Sequence, residues 1–292
     1  MKSLRLTNRD VSIVQTVLAY RALTSQQIER LHFAPENGQT HLTKTSRCLL
    51  RLRLLHSHGY LARMEQPQTF SEGRRPYIYL LTEHGANLLA SALGKERDEI
   101  DWKPAHNRLS PFTLAHWLAT QDVRVGVQLS AERHDFGAEW MDEPALRKAH
   151  AGDRIELELP QQGVQKAVVV PDGYFSLGTD KGRAHFFVEI DMRTVTGQAT
   201  SANHRDWQKK ILAYVAWQRS GLFTNRYQAK SFRVLTVTTS ERRLAHLKAV
   251  TERAGGERRF WFATFDRLKD ADTLVDFVWN VATRDDRYSV TK

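Results

Sequence analysis

The stretch Lys44-Thr45-Ser46-Arg47-Cys48-Leu49-Leu50-Arg51-Leu52-Arg53-Leu54-Leu55 decides how the first third of this chain is read. Lys44, Arg47 and Arg51 recur three and four residues apart, so on a helix they share one side, with Leu49 and Leu52 facing away from them. Leu50, Leu54 and Leu55 make the later part apolar nearly all round. The pattern predicts a helix over about residues 39–57 whose C-terminal half is buried and whose N-terminal half protrudes with a cationic side. A recognition helix is built in this way; a core helix with a solvated basic face has the same spacing.

The flanking sequence separates the two. Upstream, Val11, Val14 and Leu18 define a first helix capped by Thr7 or Asn8. Thr24 then opens a short second helix, with Gln27 three residues on as in a capping box, and Pro35 and Gly38 mark its end. Downstream, Gly59 stops the long helix and Tyr60 to Arg63 begins a strand that pairs with a second over Pro76–Thr82. Between them lies a polar tip carrying Arg74 and Arg75, and Thr82 caps a closing helix over Glu83–Leu93. Three helices, a basic hairpin and a closing helix in this order predict a winged helix-turn-helix that binds double-stranded DNA. Lys44, Arg47, Arg51, Arg74 and Arg75 are its expected contacts, Arg47 and Arg51 with bases and the others with phosphate.

A net charge of +10 on 292 residues agrees with a polyanionic partner, since phosphates relieve cationic self-repulsion and release counterions. Cys48 is the one cysteine, which excludes an intramolecular disulfide and a cysteine-based zinc site. Met1-Lys2-Ser3 leads into a charged stretch rather than an apolar one, and no run is long enough to cross a bilayer, so a cytoplasmic location is expected. Glycine-rich phosphate loops and nucleophile elbows are absent, which argues against ATPases and hydrolases of those classes.

The expected division is a winged helix-turn-helix over 1–95, a charged linker with two prolines over 96–111, and an α/β sandwich around a mixed sheet over 112–292. The second part opens with a long helix, Phe112–Arg133, buried through Leu114, Trp117, Leu118, Val125 and Leu129. Strands follow over Val168–Leu177 and His185–Asp191, then a helix over Asn203–Arg219, a strand over Phe232–Thr238, a helix over Glu241–Ala254 and a strand over Arg259–Thr264. Asp172 ends an apolar run, and Glu189 and Asp191 share one sheet face because strand side chains alternate. Three carboxylates so placed repel one another unless a divalent cation or basic neighbours neutralise them. Oxygen-only ligands suit magnesium or manganese, while Arg193, Lys209 and Lys210 are nearby cations able to pair with the acids instead.

The strand pair resembles the core of the PD-(D/E)XK nuclease-like fold, with Pro171-Asp172 matching its first motif and Glu189 its second acid. The resemblance implies Asp172 and Glu189 as metal ligands, Asp191 as an assistant, and a metal-dependent endonuclease. The lysine expected two residues after Glu189 is replaced by Asp191, and Lys210, one helical turn before Tyr214, is placed to reach the acids from the following helix. A second resemblance runs along nearly the whole chain. Thr7-Asn8-Arg9-Asp10, Arg21-Ala22-Leu23-Thr24, Gly59-Tyr60-Leu61, Tyr79-Leu80-Leu81-Thr82-Glu83-His84-Gly85, Pro171-Asp172-Gly173, Glu189-Ile190-Asp191-Met192-Arg193-Thr194 and Lys210-Ile211-Leu212-Ala213-Tyr214 look like the replication-relaxation family of plasmid and mobile-element proteins. That family implies DNA binding in replication or mobilisation. Its expected partners are double-stranded DNA, replication or mobilisation proteins, and a second copy of the chain where the target is palindromic.

Three readings follow. The first is a DNA-binding protein whose nuclease-like domain is non-catalytic and serves dimerisation or partner contact. The second is an endonuclease using magnesium or manganese, with Asp172, Glu189, Asp191 and Lys210 at its centre, and the third is a protein-interaction adaptor. Glu139 and Glu143 are further acids upstream, more simply read as surface residues. His56 and His58 point different ways at a helix end, and Trp207 and Trp217 read as helix packing.

Overall fold

A computed structural model describes residues 4–33, 41–66, 75–108, 110–159, 163–179, 182–192 and 201–291. The chain divides into two compact units, Met1–Val125 and Gly126–Lys292.

In the first unit, α1 (Asn8–Tyr20) starts at a capping box in which Thr7 and Asp10 bond reciprocally. After Arg21, the short strand β1 (Ala22–Thr24) leads into α2 (Ser25–His32), where Thr24 and Gln27 form a second capping box. Next come α3 (His41–Ser57), β2 (Leu61–Met64), β3 (Ile78–Leu81) and α4 (Glu83–Leu93). The strands form an antiparallel sheet in the order β1-β3-β2, pairing Leu23 with Tyr79 and Arg63 with Tyr79 on its other edge. The hairpin tip carrying Arg74 lies outside the described residues. At the foot of the hairpin, the Thr82 hydroxyl donates to the carbonyls of Gly59 and Tyr60 and accepts from the Gly85 amide. Gly85 is required there, because a Cβ would lie 2.3 Å from the Tyr60 carbonyl oxygen.

The segment expected as a linker is packed into this unit. Arg97 donates to both carboxylate oxygens of Glu83, Asn107 donates to the Leu81 carbonyl at 2.7 Å, and Ile100 and Trp102 are buried. The following helix α5 (Pro111–Arg133) begins within the first unit, where Leu114 and Leu118 join Ala22, Ile78 and Leu80 in one apolar cluster. The division of the chain falls inside α5, at Val125, rather than ahead of it. Charge and proline content mark the segment as irregular, but the anchors that hold it, Trp102 and Asn107, are single residues without a period.

The second unit is built on a mixed sheet of seven strands in the order β12-β11-β10-β9-β8-β7-β4. In chain order its elements are β4 (Ala138–Asp142), α6 (Glu143–His150), the hairpin β5 (Ile155–Leu159) and β6 (Gly163–Ala167), β7 (Gly173–Thr179) and β8 (Gly182–Asp191). They continue through α7 (Ser201–Arg219), α8 (Leu222–Tyr227), β9 (Arg233–Thr238), α9 (Glu241–Arg253), β10 (Phe260–Thr264), α10 (Phe265–Lys269), β11 (Trp279–Val281) and β12 (Arg287–Tyr288). Strands β8, β9 and β10 run parallel, and the flanking pairs are antiparallel. The central strands are near-continuous apolar runs because both of their faces are covered. Phe187, Val234, Phe260 and Phe262 pack with Trp217, Phe223 and Ile211 in the main core, while Phe186 on the opposite face of β8 stacks on Phe175. The architecture is the mixed α/β sheet that the alternating pattern predicts, and it places Asp172 just before β7 and Glu189 and Asp191 at the end of β8.

Candidate functional site

Two groups of residues carry the chemistry, one in each unit. Among the described side chains of α3 the exposed ones are Thr43, Ser46, Leu49, Leu50, Arg53 and Ser57, one continuous stripe at helical spacing. The side expected to be freely cationic is instead held by acids. Arg51 donates through Nε to Oδ1 of Asp10 at 2.9 Å and through its second nitrogen to Oδ2, and Asp10 is fully buried. Lys44 lies 3.7 Å from Glu29, and Arg47 is half-buried. Leu49 and Leu50 are 44% and 46% exposed, contrary to the expected burial, while Leu52 and Leu55 are buried. The helix is thus rotated relative to the sequence reading, because Asp10 and Glu29 on the neighbouring helices draw the cations inward. Further exposed cations of this unit include Arg63 on β2, with its guanidinium 4.3 Å from the Tyr77 ring centroid, and Arg75. Cys48 is fully buried and burial pushes its thiol up to about 12, which leaves it unreactive.

In the second unit the acidic centre is assembled by strand pairing. Gly173 pairs with Val188, which brings Asp172 beside Glu189; the Asp172 amide donates to the Val188 carbonyl and its Oδ2 accepts from the Ile190 amide at 2.7 Å. A larger residue at Gly173 would have to displace the Trp140 ring, since a Cβ would lie 2.5 Å from it. Glu189 is 2% exposed. Lys210 reaches it from α7 and donates to Oε2, and Tyr214, one turn further along the same helix face, donates to Oε1 at 2.7 Å. Lys210 thus reaches Glu189 from the following helix, and Tyr214 adds a contact that the sequence reading did not anticipate. Burial raises the Glu189 carboxyl, Lys210 opposes the rise and Asp172 adds to it, leaving the group at about 7. Burial also works against the Lys210 charge, but Glu189 and Asp172 overcome it and Lys210 holds its proton more tightly than an ordinary lysine.

Asp191 belongs to a different arrangement. Arg243 of α9 donates to both of its oxygens, at 2.8 and 2.9 Å, and the Thr238 hydroxyl donates at 2.9 Å. The three carboxylates therefore do not form one ligand set, and Asp191 ties β8 to β9 and α9. Nothing in the sequence pointed to Arg243, which lies 52 residues away. Lys209 donates to Gln165, and Arg193 lies outside the described residues. Glu139 pairs with Arg183 and Glu143 with Arg147, both away from the centre. Trp207 and Trp217 are buried, bonded to Thr251 and Asp153, as packing residues.

A cleft of about 110 Å³ opens at this end of the sheet, lined by Glu189, Ile190, Asp191, Trp207, Lys210 and Arg243 among others. The donor set does not fit a resident magnesium or manganese ion. Both oxygens of Glu189 are occupied by Lys210 and Tyr214, one of Asp172 accepts from a backbone amide, and Asp191 is held by Arg243. Among the described residues no group of three or more His, Cys, Asp or Glu side chains gathers to hold a metal.

Comparison with known proteins gives the chain its relatives. Among solved structures, the restriction endonuclease FokI bound to DNA is 12% identical over 92% of this chain and 45% of its own, with a TM-score of 0.27. FokI solved alone is 13% identical over 92% of this chain and 44% of its own, also at 0.27. The chain spans less than half the length of either. No curated protein matches it. Residues 15–230, from within α1 to beyond α8 and including Asp172, Glu189 and Lys210, match the replication-relaxation family, and on the strength of a match over most of its length the chain belongs to that family.

Proposed function

We propose that the protein binds double-stranded DNA through its first unit during replication or mobilisation of a plasmid or mobile element, and that its acidic centre is non-catalytic and serves self-association or partner contact. Family membership supports the setting. The observation that carries the DNA reading is the exposed stripe of α3. Its rear is fixed by the Arg51–Asp10 pair, and its solvent side presents Thr43, Ser46 and Arg53 beside the two exposed leucines. The chain order α1-β1-α2-α3-β2-β3, with the strands paired as β1-β3-β2, supports a winged helix, in which the third helix enters the major groove and the hairpin follows the backbone. Hydroxyls and an arginine suit base edges and phosphate, and exposed leucine suits the thymine methyl. Arg47, Arg63 and Arg75 are the supporting cations, and Arg74 on the hairpin tip is proposed with them.

The test is a fluorescence-anisotropy titration of a mixed-sequence duplex across a salt series, with Arg53→Ala, Arg47→Ala and Arg75→Ala alongside wild type. Binding that weakens with salt and with these substitutions supports the reading. Binding unchanged by all three removes this surface as the DNA face.

A metal-dependent endonuclease is the second reading, favoured by one observation: Lys210 arrives at Glu189 from α7 although the strand position is occupied by Asp191. Plasmid incubated with Mg²⁺ or Mn²⁺ and the protein, beside an Asp172→Ala control, distinguishes them. Nicking by wild type alone would establish the second reading.

A further inference from the structure

We propose that the Lys210 ammonium is the resident cation of the Asp172–Glu189 pair, built into α7 at the place a divalent ion would take, so that this centre binds no divalent cation until Lys210 is removed. The inference deepens the non-catalytic reading and rests on it.

The argument begins with charge. A buried carboxylate needs a counterion, because moving it out of water costs several kcal/mol that only opposite charge and hydrogen bonds offset. Glu189, 2% exposed, has Lys210 on Oε2 and Tyr214 on Oε1, so its hydrogen-bonding capacity toward the helix is filled from one face of α7. Asp172, close enough to shift Glu189 upward, is oriented by the Ile190 amide. The third acid that could have completed an oxygen cage, Asp191, is committed in both its oxygens to Arg243. Asp206 also lines the cleft but is exposed, which leaves Asp172 and Glu189 as the pair that Lys210 serves, and that cation is covalently part of the chain.

The position of the cation matters as much as its presence. The Lys210 side chain is 43% exposed and lines the cleft beside Glu189 and the exposed Asp206, so an ion entering from solvent meets a fixed positive charge next to the buried acid. A divalent ion and the ammonium cannot both occupy Glu189 Oε2 at contact distance. To reach that oxygen the ion must displace the ammonium and break a buried ion pair, and Tyr214 already donates to the other oxygen.

The full chain, wild type and Lys210→Met, is titrated with Mn²⁺ at pH 8, and bound ion is read from loss of the free-ion EPR signal. Wild type is expected to bind no ion at this centre. K210M is expected to bind one ion at least about tenfold more tightly than wild type, which corresponds to about 1.4 kcal/mol, and D172N/K210M to lose it. Mn²⁺ binding by wild type that disappears in D172N, or a folded K210M that binds none, overturns the proposal. Should K210M fail to fold, E189Q/K210M removes both charges and is expected to fold and bind no ion; an unfolded double variant overturns the electrostatic account as well. Duplex binding measured on the same wild-type sample keeps the two readings apart. Its loss with the Mn²⁺ pattern intact removes the DNA reading alone, and the reverse result removes this proposal alone.

Discussion

The Arg51 guanidinium forms two hydrogen bonds with the carboxylate of Asp10, a side chain with no exposed surface that also accepts from the amide and hydroxyl of Thr7, each at 2.7 Å. The pair joins α3 to the first turn of α1 and sets which side of α3 is left facing water. A charge recruited for this purpose is a scaffold residue. Arg51→Ala strands a buried carboxylate, and an expected loss on the order of 3 kcal/mol, at the lower end for broken buried pairs because Arg51 keeps some exposure, is checked by urea unfolding. A change under about 0.5 kcal/mol, the scale of a surface substitution, would remove Arg51 from the scaffold.

The same carboxylate predicts an acid limit. Burial opposes ionisation of Asp10, but the bonds from Arg51 and Thr7 outweigh it and its pKa is lowered below 3.8. The native state therefore binds its proton later than the unfolded chain does. The stabilisation is present in full above 3.8 and is lost as pH falls through the native value. Wild type minus Asp10→Asn, compared by urea unfolding from pH 6 downward, is expected to shrink toward acid. A difference that stays constant would show that the carboxylate ionises normally.

Arg53 is expected to behave in the opposite way to Arg51. It stands on the exposed stripe two positions further on, so Arg53→Ala leaves unfolding within about 0.5 kcal/mol of wild type and acts on DNA. If its contact is a phosphate, the log–log salt slope of duplex affinity falls by about 1; if it is a guanine edge, about 1–3 kcal/mol is lost on selected sites only. Loss of stability without loss of affinity would reverse the roles given to the two arginines.

What was legible in the sequence follows from distance along the chain. Helix starts were readable because each is a contact over three residues: Thr7 with Asp10, Thr24 with Gln27, Thr82 with Gly85. The central strands were readable as apolar runs. Lys210 was readable as a cation of α7 placed to reach the acids, one turn before Tyr214. Strand β1, of three residues, is too short to show a period, and Arg21-Ala22-Leu23 reads as a mere interruption. The rotation of α3 was not legible, since it depends on Asp10, 41 residues from Arg51. Likewise Asp191 looked like a site acid because its partner, Arg243, comes from another helix.

Gly173 tests how tightly the acidic centre is built. Its Cα faces the Trp140 ring, which stacks with Phe175 at 6.0 Å and donates through Nε1 to Asp142 at 2.7 Å, so the ring is not free to retreat. Gly173→Ala is expected to cost about 1–3 kcal/mol as an overpacked site. Calorimetric unfolding checks it, and Trp140→Ala combined with Gly173→Ala is expected to recover part of the loss attributable to the clash. Equal loss with and without Trp140 would mean that the backbone, not the ring, forbids the methyl group.

Glu189 predicts a pH dependence of the opposite sign to that of Asp10. Its pKa is raised from 4.5 to about 7 by burial, so between these values the native state holds a proton that the unfolded chain has released. Its contribution to stability is complete below 4.5 and is lost as pH rises through about 7, with a slope of at most about 1.4 kcal/mol per pH unit. Glu189→Gln keeps a neutral group of the same shape and removes that slope. The buried His150 and His185, both lowered by desolvation, give a slope of the other sign, but it is common to both proteins and cancels in the difference. Unfolding free energies at pH 5 and pH 8 should therefore show wild type losing more than about 1 kcal/mol relative to Glu189→Gln. Parallel curves would mean that Lys210 holds Glu189 ionised across the range, with burial fully offset by the ion pair.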